Sequence, residues 1–155
     1  MKEKNAKKLI ETFPELLKTF VSDSKTYSLR RDQQIEVEKF WCSDGWYNLI
    51  FSTLEKLELI RNISKINFYT SCIKEKFAYL RIYLSFPEYT EPAYALSQDE
   101  KLWIDIINDV IEHTEKQSST ICEKCSDDKT AKIANVNRFY IQILCDKCLE
   151  ETKKK

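Results

Sequence analysis

The sequence predicts an α+β fold: a small antiparallel sheet packed with helices, followed by a C-terminal zinc-ribbon or treble-clef-like knuckle unit. Three observations carry this expectation. Residues 63–86 hold two runs in which apolar and polar side chains alternate, the period of half-buried strands. Residues 46–61 and 98–116 place apolar side chains at helical spacing. Cys122, Cys125, Cys145 and Cys148 form two C-x2-C pairs with 19 residues between them, the spacing of a four-thiolate zinc site. The expected division is an α+β domain over 1–117 and a zinc-binding unit over 118–155.

The elements follow in order. Leu9, Ile10, Phe13, Leu16, Leu17 and Phe20 recur at helical spacing, so residues 3–20 read as helical, with Pro14 opening a second short helix. Residues 21–32 are polar and read as a loop. Ile35, Val37 and Phe40 suggest a short strand or an irregular approach to the next helix, with Glu36 and Glu38 turned to solvent. Ser43-Asp44-Gly45 stops that segment, and either Ser43 or Asp44 is placed to cap a helix that starts near Trp46. Trp46, Ile50, Leu54 and Leu57 form its apolar stripe, and it ends near Arg61-Asn62. Ile66, Phe68, Thr70 and Cys72 share one strand face; Leu80, Ile82, Leu84 and Phe86 share the matching face of the next strand. Lys74-Glu75-Lys76 reads as the charged turn between them. After a loop at 87–95, Ser97-Gln98-Asp99-Glu100 is a capping box. The helix behind it carries Leu102, Trp103, Ile106, Ile107, Val110 and Ile111, and is expected to run to about Lys116 and lie across the sheet.

Composition removes several functions. Lysine plus arginine and aspartate plus glutamate balance at 25 each, so no global field draws the chain onto nucleic acid or an anionic membrane. No apolar run approaches the ~18 residues of a membrane span, and the charged start has no apolar segment behind it, so the expected setting is cytoplasmic. There the thiols stay reduced, which favours cysteines as ligands. The single glycine, Gly45, rules out glycine-rich phosphate loops, dinucleotide fingerprints and nucleophile elbows, and no small-molecule substrate is evident.

In the zinc unit, Lys132-Ile-Ala and the run from Arg138 to Leu144 read as two strands around Asn135-Val-Asn137, a hairpin that returns the second cysteine pair beside the first. Leu149 onward continues as a short helix. Four thiolates close the coordination sphere, so the Zn²⁺ is expected to be structural. From residue 118 on there are eight basic and six acidic side chains, and zinc with four thiolates adds minus two, leaving the unit near neutral. That disfavours strong phosphate binding, although Arg138, Phe139 and Tyr140 could stack on bases.

Other chemistry-bearing residues have bland readings beside the functional ones. His113, the only histidine, falls on the polar side of its helix. Cys42 and Cys72 lack a histidine partner, and Cys72 reads as a buried thiol. Glu55 and Glu58 lie on a charged helix face. Phe40, Trp41, Trp46 and Tyr47 cluster around Gly45 either as core or as a recognition patch. Lys74, Lys76, Phe77 and Arg81 form either a solvated hairpin tip or a contact surface, and burial of Phe77 separates the two.

Several of these pieces occur in a familiar order: CSDGWYNLI from Cys42 to Ile50, KEKFAYLRIY from Lys74 to Tyr83, a helix closing on Ser118-Ser119, CEKC from Cys122 to Cys125, and LCDKC from Leu144 to Cys148. Over roughly residues 40–148 the chain resembles a group of uncharacterised bacteriophage and prophage proteins. Their pattern is a GDGW(Y/F) helix start, a KEKFGxLRFY hairpin and a terminal zinc-ribbon-like piece. The glycine that follows KEKF in that group is Ala78 here, the glycine after the first knuckle is Ser126, and a frequent terminal histidine is Cys148. The resemblance implies an accessory gene expressed in a bacterial host, with no activity to carry over. The expected function is a non-enzymatic, zinc-stabilised adaptor or inhibitor that binds a macromolecular partner such as a host defence protein. The alternatives are a nucleic-acid-binding module and an enzyme with an unrecognised site. The residues expected to meet a partner are Trp46, Tyr47, Lys74, Lys76, Phe77, Arg81, Arg138 and Tyr140.

Overall fold

A computed structural model describes residues 1–18, 40–87, 96–137 and 140–154. Its order is α1 (Glu3–Thr12), β1 (Phe40–Trp41), a 3-10 turn (Asp44–Trp46), α2 (Tyr47–Ser64), β2 (Tyr69–Lys76), β3 (Tyr79–Ser85), α3 (Gln98–Ser118), β4 (Lys132–Asn137), β5 (Tyr140–Leu144) and α4 (Asp146–Lys153). This is the expected α+β class, with small sheets, four α-helices and a C-terminal cysteine cluster. The readings at 21–32, at Ile35 to Glu38, at 88–95 and at Arg138 and Phe139 lie outside the described residues.

The first helix is shorter than its apolar period suggests. It stops at Thr12, because Pro14 disfavours helical backbone at Phe13, where ψ is 57°. Residues 13–18 then turn instead of opening a second helix, with Leu17 N–H donating to Phe13 O at 3.0 Å. The spacing still marked the core: Leu9, Phe13, Leu16 and Leu17 are all buried. Asp44 does not cap α2. Its carboxylate accepts from Lys2 N–H (2.8 Å) and Asn5 Nδ2 (3.0 Å), at the start of α1. Ser43 donates to Glu123 at 3.4 Å. Helix α2 starts without a side-chain cap, buries Leu49, Ile50, Thr53, Leu54, Leu57 and Ile60, and runs to Ser64 rather than Arg61-Asn62. Lys65, left-handed at φ 60°, ends it.

The first sheet has strand order β1-β2-β3, with β1 parallel to β2 and β2 antiparallel to β3. A register break leaves Ser71 unpaired between Thr70 and Cys72. This bulge swaps the faces, so Ile73 rather than Cys72 points into the core, and Cys72 is only half-buried. Lys74, Glu75 and Lys76 belong to β2 and not to the turn. The turn is Phe77-Ala78, with φ of 54° and 66°, the type I′ requirement that glycine and asparagine normally meet. Ala78 N–H donates to Glu75 Oε1 at 2.6 Å and stabilises this conformation. Phe77 is 70% exposed, so its ring contributes little to offset the left-handed backbone. Phe77→Asn is expected to stabilise the fold by about 1 kcal/mol, read as a higher urea midpoint at unchanged slope.

The capping box at Ser97 and Glu100 is present, with Glu100 N–H to Ser97 Oγ at 3.2 Å and Ser97 N–H to Glu100 Oε2 at 2.8 Å. Helix α3 extends to Ser118 and packs beside β3 and against α2. Leu80 N–H donates to Ser118 Oγ at 3.0 Å, and Thr53 and Thr114 share a buried 2.8 Å hydrogen bond. Only Ile107 of its apolar stripe is fully buried; Leu102 is exposed, and Trp103, Ile106, Val110 and Ile111 are partly covered. No helix among the described residues is long and apolar enough to cross a membrane.

Candidate metal centre

The two C-x2-C pairs converge as their spacing predicts. The Sγ atoms of Cys122, Cys125, Cys145 and Cys148 all lie within 4.8 Å of one another. Four sulfurs ~2.3 Å from one tetrahedral ion stand about 3.8 Å apart, so the cage fits such an ion with little adjustment. Cys125 and Cys145 Sγ are 3.5 Å apart, far beyond a disulfide bond, and none of the six cysteines forms a disulfide.

Local structure aims each pair. Ser126 N–H donates to Cys122 O (2.9 Å), and Cys122 N–H to Asp127 O (2.7 Å), folding the first knuckle into a tight turn. Ser126 takes φ 67°, a position suited to glycine. Strands β4 and β5 pair antiparallel, with Val136 unpaired at a register break between Asn135 and Asn137. They deliver Cys145 to the start of α4, where its sulfur accepts Cys148 N–H at 3.4 Å. Glu123 N–H bonds to Ile143 O (3.0 Å), tying the first knuckle to β5. The helix after the second pair matches the treble-clef expectation.

Electrostatics at the cage are mixed. Burial alone would raise the Cys122 thiol, yet backbone N–H groups of Cys145, Cys125 and Lys124 aimed at its sulfur bring it below the ordinary value. Burial raises Cys125 and Cys148. A bound cation would hold all four as thiolates and release their protons.

The knuckle is fastened to the helical core at Gly45. Gly45 N–H donates to Glu123 O (2.7 Å), Ser126 Oγ to Gly45 O (2.7 Å), and Trp46 Nε1 to Ile121 O (2.9 Å). The Ser126 hydroxyl thus gives a local reason for serine where glycine suits the backbone. Ile143 belongs to the main core, so β5 packs on the helical part as well as on the knuckle. Glu123 is buried, accepts from Gln142, and leaves Oε2 without a partner; burial pushes its pKa up to about 7. Gly45, Glu123 and Ser126 were not singled out for this junction from sequence. The available signal was a lone glycine set between a helix-starting Asp44 and Trp46.

The other expected contact residues divide. Trp46 is fully buried and is corrected from contact residue to core residue. Tyr47 is half-buried and packs on Phe51, with ring centroids 6.1 Å apart. Lys74 and Arg81 are half-exposed, Lys76 and Phe77 exposed, and Tyr140 sits 40% exposed at the start of β5. His113 is exposed, as expected. The Cys42 thiol is buried and pushed up to about 12, which makes it inert.

These features define a chain with a four-cysteine metal-binding centre built into an α+β core. No family model, curated protein or solved structure matches it.

Proposed function

We propose that the chain is a non-enzymatic, zinc-stabilised binding module of the phage accessory type, which presents a preformed surface to a macromolecular partner in the bacterial cytoplasm. The observation that carries this reading is the all-thiolate cage: four sulfur donors suit zinc, and once filled they leave no position for water or substrate. The ion then serves to hold β4, β5 and α4 against the core. Among the described residues, the hollows lined by α1 and by Arg61 to Asn67 bring no nucleophile and base together. The groove along α1, lined by Glu3, Asn5, Lys8, Glu11 and Tyr47, is open and gathers no nucleophile with a base. The resemblance over residues 40–148 supplies the setting, in which a host protein is the partner that overall charge balance favours. Local charge on the first sheet favours the second reading, a nucleic-acid binder.

Two measurements test the proposal. Elemental analysis of protein from zinc-supplied cells should return one zinc per chain. Immobilised zinc-loaded chain should retain a stoichiometric macromolecule from bacterial lysate, assayed with and without nuclease. Absence of metal, or of any retained macromolecule in both arms, overturns the reading.

A further inference from the structure

We infer that the outer face of the β1-β2-β3 sheet is a platform for single-stranded nucleic acid. The inference rests on the binding-module reading and takes it in its second form, a nucleic-acid binder.

Strand alternation gives the sheet two unlike faces. Phe40, Ile73 and Ile82 are register partners and point into the core, where all three are buried. The next row, Trp41, Lys74 and Arg81, therefore points the other way, with Cys72 and Tyr83 on one side and Lys76 and Tyr79 on the other. Side chains on that face remain accessible: Trp41 is 62% exposed, Tyr83 40%, and Phe77, at the turn, 70%. Trp41 lies on a strand of two residues, and most of its large ring is open to solvent. A ring this exposed adds little to the stability of the fold, so a binding role accounts for it better.

The chemistry of the face selects the partner. Lys74 Nζ lies 4.9 Å from the Tyr83 ring centre, Lys76 Nζ 5.5 Å from Phe77, and the Arg81 guanidinium 5.7 Å from Tyr79. Among the described residues Glu115 pairs with Arg81, whereas Lys74 and Lys76 have no carboxylate partner. The Tyr83 and Phe77 rings thus sit next to two lysines that have no counter-ion among the described residues. A single strand brings a matching set: flat bases for the rings and one negative charge per nucleotide for the lysines. An acidic peptide would use the lysines but not the rings. A duplex hides its base faces inside its own stack. The zero net charge does not oppose this, because stacking and a few local phosphate contacts act at short range.

The test uses the full zinc-loaded chain and a fluorescein-labelled oligothymidylate about a dozen nucleotides long, followed by anisotropy. Binding is expected with a log–log salt slope of about −1.4 to −2, as for two or three released counter-ions on a single strand. The unlabelled strand should quench tryptophan emission, and Trp41→Phe should remove that quench. Trp41→Ala should weaken binding roughly tenfold. Lys74→Ala with Lys76→Ala should flatten the slope by about 1.4. Circular dichroism and melting should be unchanged in Trp41→Ala, since the ring is exposed. No binding at low salt, equal binding of duplex, or binding indifferent to both sets of substitutions overturns the platform. If in that case the lysate experiment still yields a stoichiometric protein after nuclease treatment, the binding-module reading stands and only the partner class fails. If nothing is retained, both fall.

Discussion

Replacing Gly45 by alanine is expected to separate the metal unit from the helical core and to destabilise the protein by about 3 kcal/mol or more. The reason is space, not backbone freedom, since Gly45 has no positive φ. A Cβ there would lie 2.2 Å from Cys122 O, 2.4 Å from Glu123 C and 2.6 Å from Glu123 O. All three are backbone atoms of the first knuckle, which the metal cage and the bond to Ile143 hold in place. The added methyl group must push the two parts apart. That breaks Gly45 N–H to Glu123 O, Ser126 Oγ to Gly45 O and, beside them, Trp46 Nε1 to Ile121 O. The melting temperature should fall by roughly 6–12 °C, at about 2–4 °C per kcal/mol for a chain of this size. Emission from buried Trp46 should shift to the red. A variant that melts within a degree or two of the parent would show that the junction yields without cost.

Metal removal is the second large effect. Structural zinc sites contribute on the order of 10 kcal/mol of apparent binding free energy, nearly all expressed as folding. Chelation, or Cys145→Ser, is expected to unfold residues 120–154 and to leave α1, α2, α3 and the first sheet folded but weakened. Weakening follows because Ile143 is fully buried in the main core, with Ile121, Ala131 and Ile141 packed against it. Hydrogen exchange should show protection lost across β4, β5 and α4, with partial protection kept in α2. The pH dependence has a definite sign. Ligation requires deprotonated sulfurs, and burial raises the Cys125 and Cys148 thiols, so each must surrender a proton to the solvent. Zinc affinity should therefore drop as pH falls from 8 to 6 in chelator competition. An affinity flat across that range would speak against thiolate ligation.

Features with a local cause were legible in the sequence. The Ser97–Glu100 capping box, the alternation around Leu80 and Ile82, and the cysteine spacing are each written within a few residues, or in a ligand count that only one metal geometry satisfies. What escaped depends on distant partners or on one inserted residue. The short strand suggested by Ile35, Val37 and Phe40 does reach Phe40, but its parallel pairing with Ile73 and Lys74 has no signal near it in the chain. Ser71 looks like any alternating residue, yet as a bulge it exchanges the faces of Cys72 and Ile73. The Phe77-Ala78 turn is made by residues that disfavour its backbone, so local chemistry pointed to the charged residues before it. Asp44, which suggested a cap for α2, instead accepts from residues at the start of α1.

The asymmetry of the cage's two halves has a consequence for biosynthesis. Cys122 and Cys125 sit on backbone docked to the Gly45 loop, whereas Cys145 and Cys148 are placed by the β4–β5 hairpin and α4. As the ribosome extrudes the chain, the helices and first sheet can form a cradle for the first thiol pair while the second pair is still inside the exit tunnel. Ion capture then becomes an ordered event, in which a half-built claw waits for its closing arm.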